Sequence, residues 1–181
     1  MTERGESVGQ RGRGVLITGL GPVTSIGTGV EPFWSAVVDG RSGGRRLDFR
    51  WFEGRSFKCR VGAPVEDPAP ESFGMTESEA RLLDPSARLA LAATALALED
   101  AGLKAADLDL IIFTGMSKAF VEPATAHVLR HKLKALNANV IDTQDACTSF
   151  IKSIEIAHAL IRSGHYRQVT IEAGERTFDL S

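Results

Sequence analysis

The sequence predicts an α/β fold in which strands alternate with helices, pair in parallel and form a layered architecture. Three observations carry this. Short apolar runs bounded by turn residues recur at 14–20, 108–113, 138–141 and 168–173, with the length and composition of core strands. Segments with apolar residues at three- and four-residue spacing lie between them. The helix signals are sharp where they occur, as at Asp84-Pro85 before a long apolar-periodic stretch and Gly102 after it.

In chain order, residues 1–13 are polar and rich in glycine and arginine and read as a flexible tail. Gly14 to Leu20 reads as a buried strand ended by Gly21-Pro22, and Glu31 to Val38 as a short helix carrying Phe33, Trp34 and Val37. From 41 to 77 the periodicity breaks down, which predicts an irregular excursion with one strand near Phe57 to Val61. A helix follows from Asp84 through Leu98, then the strand Leu108 to Phe113 and a helix over Pro123 to Leu133. The strand Ala138 to Ile141, a helix from Cys147 to Arg162 stopped by Gly164, and the strand Gln168 to Ala173 complete the series. Residues 14–181 form one unit, because no Pro/Ser-rich linker divides them.

Composition excludes several functions. With 181 residues, 43% of them apolar, the chain can bury a real core. A net charge of −2 gives no basic field to hold a nucleic-acid backbone. The longest apolar windows are too short to span a bilayer, so no membrane association is expected. Residues 1–14 lack the apolar stretch of a signal peptide, and the two cysteines, Cys59 and Cys147, have no metal-ligand spacing; a reducing cytoplasm suits them. No metal and no cofactor is expected.

The glycine-rich stretch from Thr18 to Gly27 follows a strand, as a dinucleotide-binding turn would. Thr24 stands where a third glycine is required, and Pro22 removes an N–H that a phosphate would use. A tight structural turn is the better reading. Lys118, Glu122 and His127, near the end of the second core strand, read as solvated surface groups. His127 and His131 share a helical face, yet no neighbouring carboxylate completes a metal motif.

Cys147 is the most informative residue. It lies in Val140-Ile141-Asp142-Thr143-Gln144-Asp145-Ala146-Cys147-Thr148-Ser149-Phe150, where a short strand hands over to a helix marked by Phe150, Ile151, Ile154, Ala157, Leu160 and Ile161. At a helix start, unpaired N–H groups and the macrodipole favour a thiolate, the nucleophilic form. Two readings stand side by side, a reactive thiol and a small buried hydrophobe, and a nearby Asp145 carboxylate would oppose the first. No local base is available: His158 lies eleven residues on along the same helix, about 16 Å away at roughly 1.5 Å per residue.

Taken together, these segments resemble the N-terminal half of a β-ketoacyl-acyl carrier protein synthase of the thiolase superfamily. Val15 to Gly27, Phe33-Trp34 and Gly40-Arg41-Ser42-Gly43 look like the opening of the elongating synthases, and Asp84 to Leu103 like the helix that follows. Asp107 to Ile112, Asp145 to Phe150 and Ala159 to Gly164 are similar to the initiating, type III branch. The resemblance implies one half of a thiolase-like αβαβα layered fold, with a mainly parallel sheet and helices on both faces.

It also implies chemistry. Cys147 matches the nucleophile that takes an acyl group from an acyl-CoA or acyl carrier protein thioester, with its backbone N–H as one oxyanion donor. Thr148 and Phe150 would flank the acyl pocket, although plain core packing is the favoured reading of Phe150. Glu175 resembles a structural carboxylate just after the fourth strand. Family members run roughly twice this length, and their second half supplies the histidines. The resemblance therefore implies a complementary C-terminal-half subunit or a homodimer as partner, and exposed apolar surface on a lone half. A non-catalytic subunit that dimerises with or regulates a synthase, and a truncated fragment, are the alternatives.

Overall fold

The computed structural model describes residues 14–47, 59–115 and 122–174. At its centre a three-stranded parallel sheet joins β5 (Leu110–Thr114), β6 (Asn139–Thr143) and β7 (Val169–Ala173) in the order β6-β5-β7. Leu110 is in register with Asn139 on one side and Val169 on the other. Helix α4 (Thr125–Lys132) connects β5 to β6, and α5 (Ser149–Arg162) connects β6 to β7. Parallel neighbours require crossovers of this kind. Asp109 fixes the entry into β7, its Oδ2 accepting the N–H groups of Arg167 at 2.8 Å and Gln168 at 3.0 Å.

Because β5 is central, both its faces are covered, which is why it reads as an unbroken apolar run. Ile111 and Phe113 pack with Ala90, Leu91, Ala126 and Leu129 of the helices on one face. Leu110 and Ile112 pack with Ala157, Ile156 and Leu160 of α5 on the other. Each of the large apolar side chains among these contributes about 1.5–3 kcal/mol when fully buried. The first face is built on α3 (Pro85–Ala101), whose Asp84 Oδ1 accepts the N–H groups of Ser86 at 2.9 Å and Ala87 at 3.2 Å. Gly102, at φ 65°, closes α3 in the left-handed conformation that glycine adopts without strain. These elements agree with the expected ones to within a few residues, and helices cover both faces of the sheet.

Ahead of this core, β1 (Val23–Thr24) and β2 (Gly27–Thr28) form an antiparallel hairpin leading into α1 (Val30–Val38). The turn in this stretch is Ser25-Ile26, between β1 and β2, while Gly19 and Gly21 lie against the α3 backbone, where a Cβ would overlap the carbonyl oxygens of Ala97 and Ala93. The excursion contains a short antiparallel pair, β3 (Arg45–Arg46) with β4 (Val61–Gly62), and a single-turn helix α2 (Glu77–Ala80) opened by a Thr76–Glu79 capping box. Val61 is the part of the expected strand 57–61 that falls in β4. The tail 1–13, Lys118 and Glu175 lie outside the described residues.

The buried strand expected at Gly14–Leu20 is not formed. Leu16 and Ile17 are 79% and 76% exposed, and Leu20 is exposed as well. An apolar run becomes a strand only beside another strand, and the sheet of the described residues stops at β7. The end of the segment instead lies along α3. Leu20 N–H donates to Asp100 Oδ2 at 2.9 Å, and a Cβ at Gly21 would overlap the Ala93 carbonyl oxygen. Among the described residues no helix is long and apolar enough to cross a membrane.

Candidate active site at the β6 to α5 turn

The candidate nucleophile lies at the end of β6. The chain leaves Thr143, passes Gln144 and Asp145, and makes a single 3-10 turn, Ala146–Thr148, before α5 begins at Ser149. Cys147 therefore stands in the turn preceding the helix rather than within its first turn. It is exposed, as Cys59 is, which removes the buried-hydrophobe reading. Ala146 has φ 44°, a left-handed conformation that costs a non-glycine residue roughly 1–2 kcal/mol.

Hydrogen bonds hold this turn. Ser149 Oγ accepts the Asp145 N–H at 2.8 Å and donates to the Ala146 carbonyl at 2.7 Å. Ser153 Oγ donates to the Ser149 carbonyl at 2.8 Å and meets Thr143 Oγ1 at 2.8 Å. A hydroxyl has one proton, so Thr143 is the donor to Ser153. At about 1 kcal/mol net apiece, these bonds are enough to offset the strain at Ala146. Behind the turn, Asp142 receives the first two N–H groups of α4, from Thr125 and Ala126, both at 2.9 Å. Ala124, at the local cap position, has no side-chain acceptor to offer them.

Thr148 occupies the cap position of α5 but its side chain does not cap the helix. Its Oγ1 turns back, 2.8 Å from both the carbonyl and Oδ2 of Asp145. The Asp145 carboxylate is thus engaged by a hydroxyl. Phe150 is 46% exposed, which corrects the favoured core reading. The stripe of α5 facing the sheet is Ser149, Ser153 and Ala157, four residues apart, and Phe150 stands about 100° off it. Ile151 is exposed beside it. The structure brings Cys147, Thr148 and Phe150 to one turn, and among the described residues no histidine is hydrogen-bonded to Cys147; His127, His131, His158 and His165 are all exposed, and His165 Nδ1 is paired with Ser163 Oγ at 2.7 Å. Among the described residues no cluster of side chains could hold a metal ion.

One ionisable group escaped the sequence reading. Glu172 of β7 is 3% exposed, and burial pushes its carboxyl up to about 7 from 4.5. Hydrogen bonds from Thr170, at 2.6 Å, and from Thr94 act in the opposite direction. Thr94 Oγ1 also lies 2.7 Å from the Ala90 carbonyl and can give its single proton there. In the sequence, Thr170 and Glu172 alternate with Val169, Ile171 and Ala173, the pattern of a strand with one wet face. The polar face instead meets α3.

Comparison with known proteins places this architecture. The family profile described as Beta-ketoacyl synthase, N-terminal domain, matches residues 12–151, which include Cys147. The Beta-ketoacyl-[acyl-carrier-protein] synthase III of Caldanaerobacter subterraneus subsp. tengcongensis is 39% identical over 100 residues, covering 54% of this chain and 30% of the relative. The synthase III of Clostridium perfringens (strain ATCC 13124) is 40% identical over 87 residues, covering 48% and 27%. Among solved structures, the priming β-ketosynthase of the R1128 polyketide biosynthetic pathway aligns with a TM-score of 0.50 and 33% identity, covering 52% of this chain and 29% of that one. The 3-oxoacyl-[acyl-carrier-protein] synthase III of Aquifex aeolicus VF5, at 24% identity and a TM-score of 0.50, shows the shared fold over 70% of this chain and 36% of that one. The matched regions span about a third or less of the relatives' own lengths. The fold is one half of a thiolase-like layered fold, and the chain belongs to the β-ketoacyl synthase family through its N-terminal domain.

Proposed function

We propose that this chain carries the acyl-accepting half of a β-ketoacyl-acyl carrier protein synthase, with Cys147 as the acyl acceptor. The observation that supports it most is an exposed thiol at a strained strand-to-helix turn, inside the segment that matches the family. The Cys147 thiolate attacks the carbonyl carbon of an acyl-CoA or acyl carrier protein thioester. A new acyl–sulfur bond forms, the old one breaks, and the carrier leaves as a thiolate that takes a proton from water. A malonyl donor then loses CO2, and its enolate attacks the acyl-enzyme carbonyl, releasing the β-ketoacyl product and freeing Cys147. Dividing the transfer makes each step easier.

Thr148 and Phe150 flank the acyl chain in this reading. The exposed faces of Phe150 and Ile151 suit an apolar chain or the second half of the active site. The base and the second oxyanion donor come from a complementary C-terminal-half polypeptide or the partner in a dimer. The lack of any histidine bonded to Cys147 among the described residues also favours a second reading, a non-catalytic subunit that regulates a synthase. Co-expression with a type III C-terminal half tests the two. Condensation product that disappears in Cys147→Ala supports the acyl-acceptor role, and product formed equally by Cys147→Ala refutes it.

A further inference from the structure

We infer that Ser149 is a positioning residue for Cys147, an inference that rests on the acyl-acceptor reading above. Its hydroxyl spans the residue of this turn whose backbone takes a left-handed conformation, unfavourable for an L-amino acid. Ala146 lies in the left-handed region at φ 44°, and Ser149 Oγ binds on both sides of it, taking the Asp145 N–H at 2.8 Å and giving its proton to the Ala146 carbonyl at 2.7 Å. The two groups belong to the two residues ahead of Cys147, and the serine is buried. The Ser149 carbonyl is held in turn by Ser153, which meets Thr143 at the end of β6. The staple therefore rests on the sheet at one end and the helix at the other. Among the described residues, the thiol between them makes no hydrogen bond of its own. Thr148, the residue placed to cap α5, bonds back to Asp145 instead, so Ser149 defines the path from the turn into the helix.

The test uses iodoacetamide at neutral pH, with Cys147 and Cys59 read separately by peptide mass spectrometry. Cys59 is exposed and lies outside the turn, so the ratio of the two rates isolates the turn from reagent effects. Ser149→Ala should lower the Cys147/Cys59 ratio about tenfold, as expected when one to two net hydrogen bonds no longer hold the presented conformation. Adding Ala146→Gly, which takes the left-handed conformation without a staple, should bring the ratio back to within about twofold of the parent. A merely structural serine would not be rescued at a different residue. A ratio in Ser149→Ala equal to or above the parent's overturns the inference, and so does failure of the double variant to recover. If Ser149→Ala alone does not fold, the double variant must regain both the far-UV circular dichroism of the parent and its ratio. Acyl-CoA labelling of the parent chain with a complementary half, run in parallel, separates the two levels: a lowered and rescued alkylation ratio without acylation retains the positioning role and removes the acyl-acceptor reading.

Discussion

Replacing Glu172 by glutamine should remove a pH dependence built into the core. The carboxyl lies between β7 and α3, met by the hydroxyls of Thr170 and Thr94, and titrates at about 7 instead of 4.5. Between those values the folded chain holds a proton that the unfolded chain has released, so stability falls as pH rises. The contribution is fully present below pH 4.5 and lost as pH rises through 7. One pKa unit corresponds to about 1.4 kcal/mol, which makes the whole loss about 3 kcal/mol, of which about 2–3 kcal/mol falls between pH 5 and pH 8. Glutamine keeps an acceptor for Thr170 and stays neutral throughout. Urea unfolding followed by circular dichroism at pH 5 and pH 8 measures the difference. Relative to Glu172→Gln, the parent should lose about 2–3 kcal/mol across this interval. Parallel pH profiles for the two proteins would refute the buried, proton-holding carboxyl.

Two other substitutions test the packing around the site. Asp142→Ala leaves the first N–H groups of α4 without their acceptor and should cost about 1.5–3 kcal/mol in urea unfolding, with faster amide exchange at Thr125 and Ala126. Unchanged exchange at those two amides would show that the clamp does not hold α4. Phe150→Asp should change stability by no more than about 0.5 kcal/mol, because the ring is half-exposed; a loss of several kcal/mol would return Phe150 to the core.

Much of the fold was legible because its signals are local. Asp84-Pro85 and Gly102 bracket α3 by cap chemistry alone, and the unbroken run Leu110 to Phe113 announces a strand covered on both faces. The errors arise where the answer depends on a distant partner. Gly14–Leu20 has strand composition, but pairing needs a neighbour that its own residues cannot specify. Phe150 joins an apolar periodicity whose buried stripe is set by small residues, Ser149, Ser153 and Ala157, a tight fit against the sheet that hydrophobic spacing does not reveal. The burial of Glu172 was not legible, because α3, which lies over it, is far away in sequence. The Cys147 turn was legible as a position, through the strand, the helix and the family resemblance. Its support by Ser149 was not, since a hydroxyl reaching back to Asp145 depends on the left-handed Ala146.

The most direct measurement is the site of acylation. The chain, alone and with a complementary C-terminal half, is incubated with acyl-CoA and with acyl carrier protein thioester, then digested at acidic pH and mapped by tandem mass spectrometry. One acyl group on the peptide containing Cys147, removable by neutral hydroxylamine and missing from Cys147→Ala, is the predicted result. No acylation of Cys147 under any of these conditions, or equal acylation of Cys59, would contradict it.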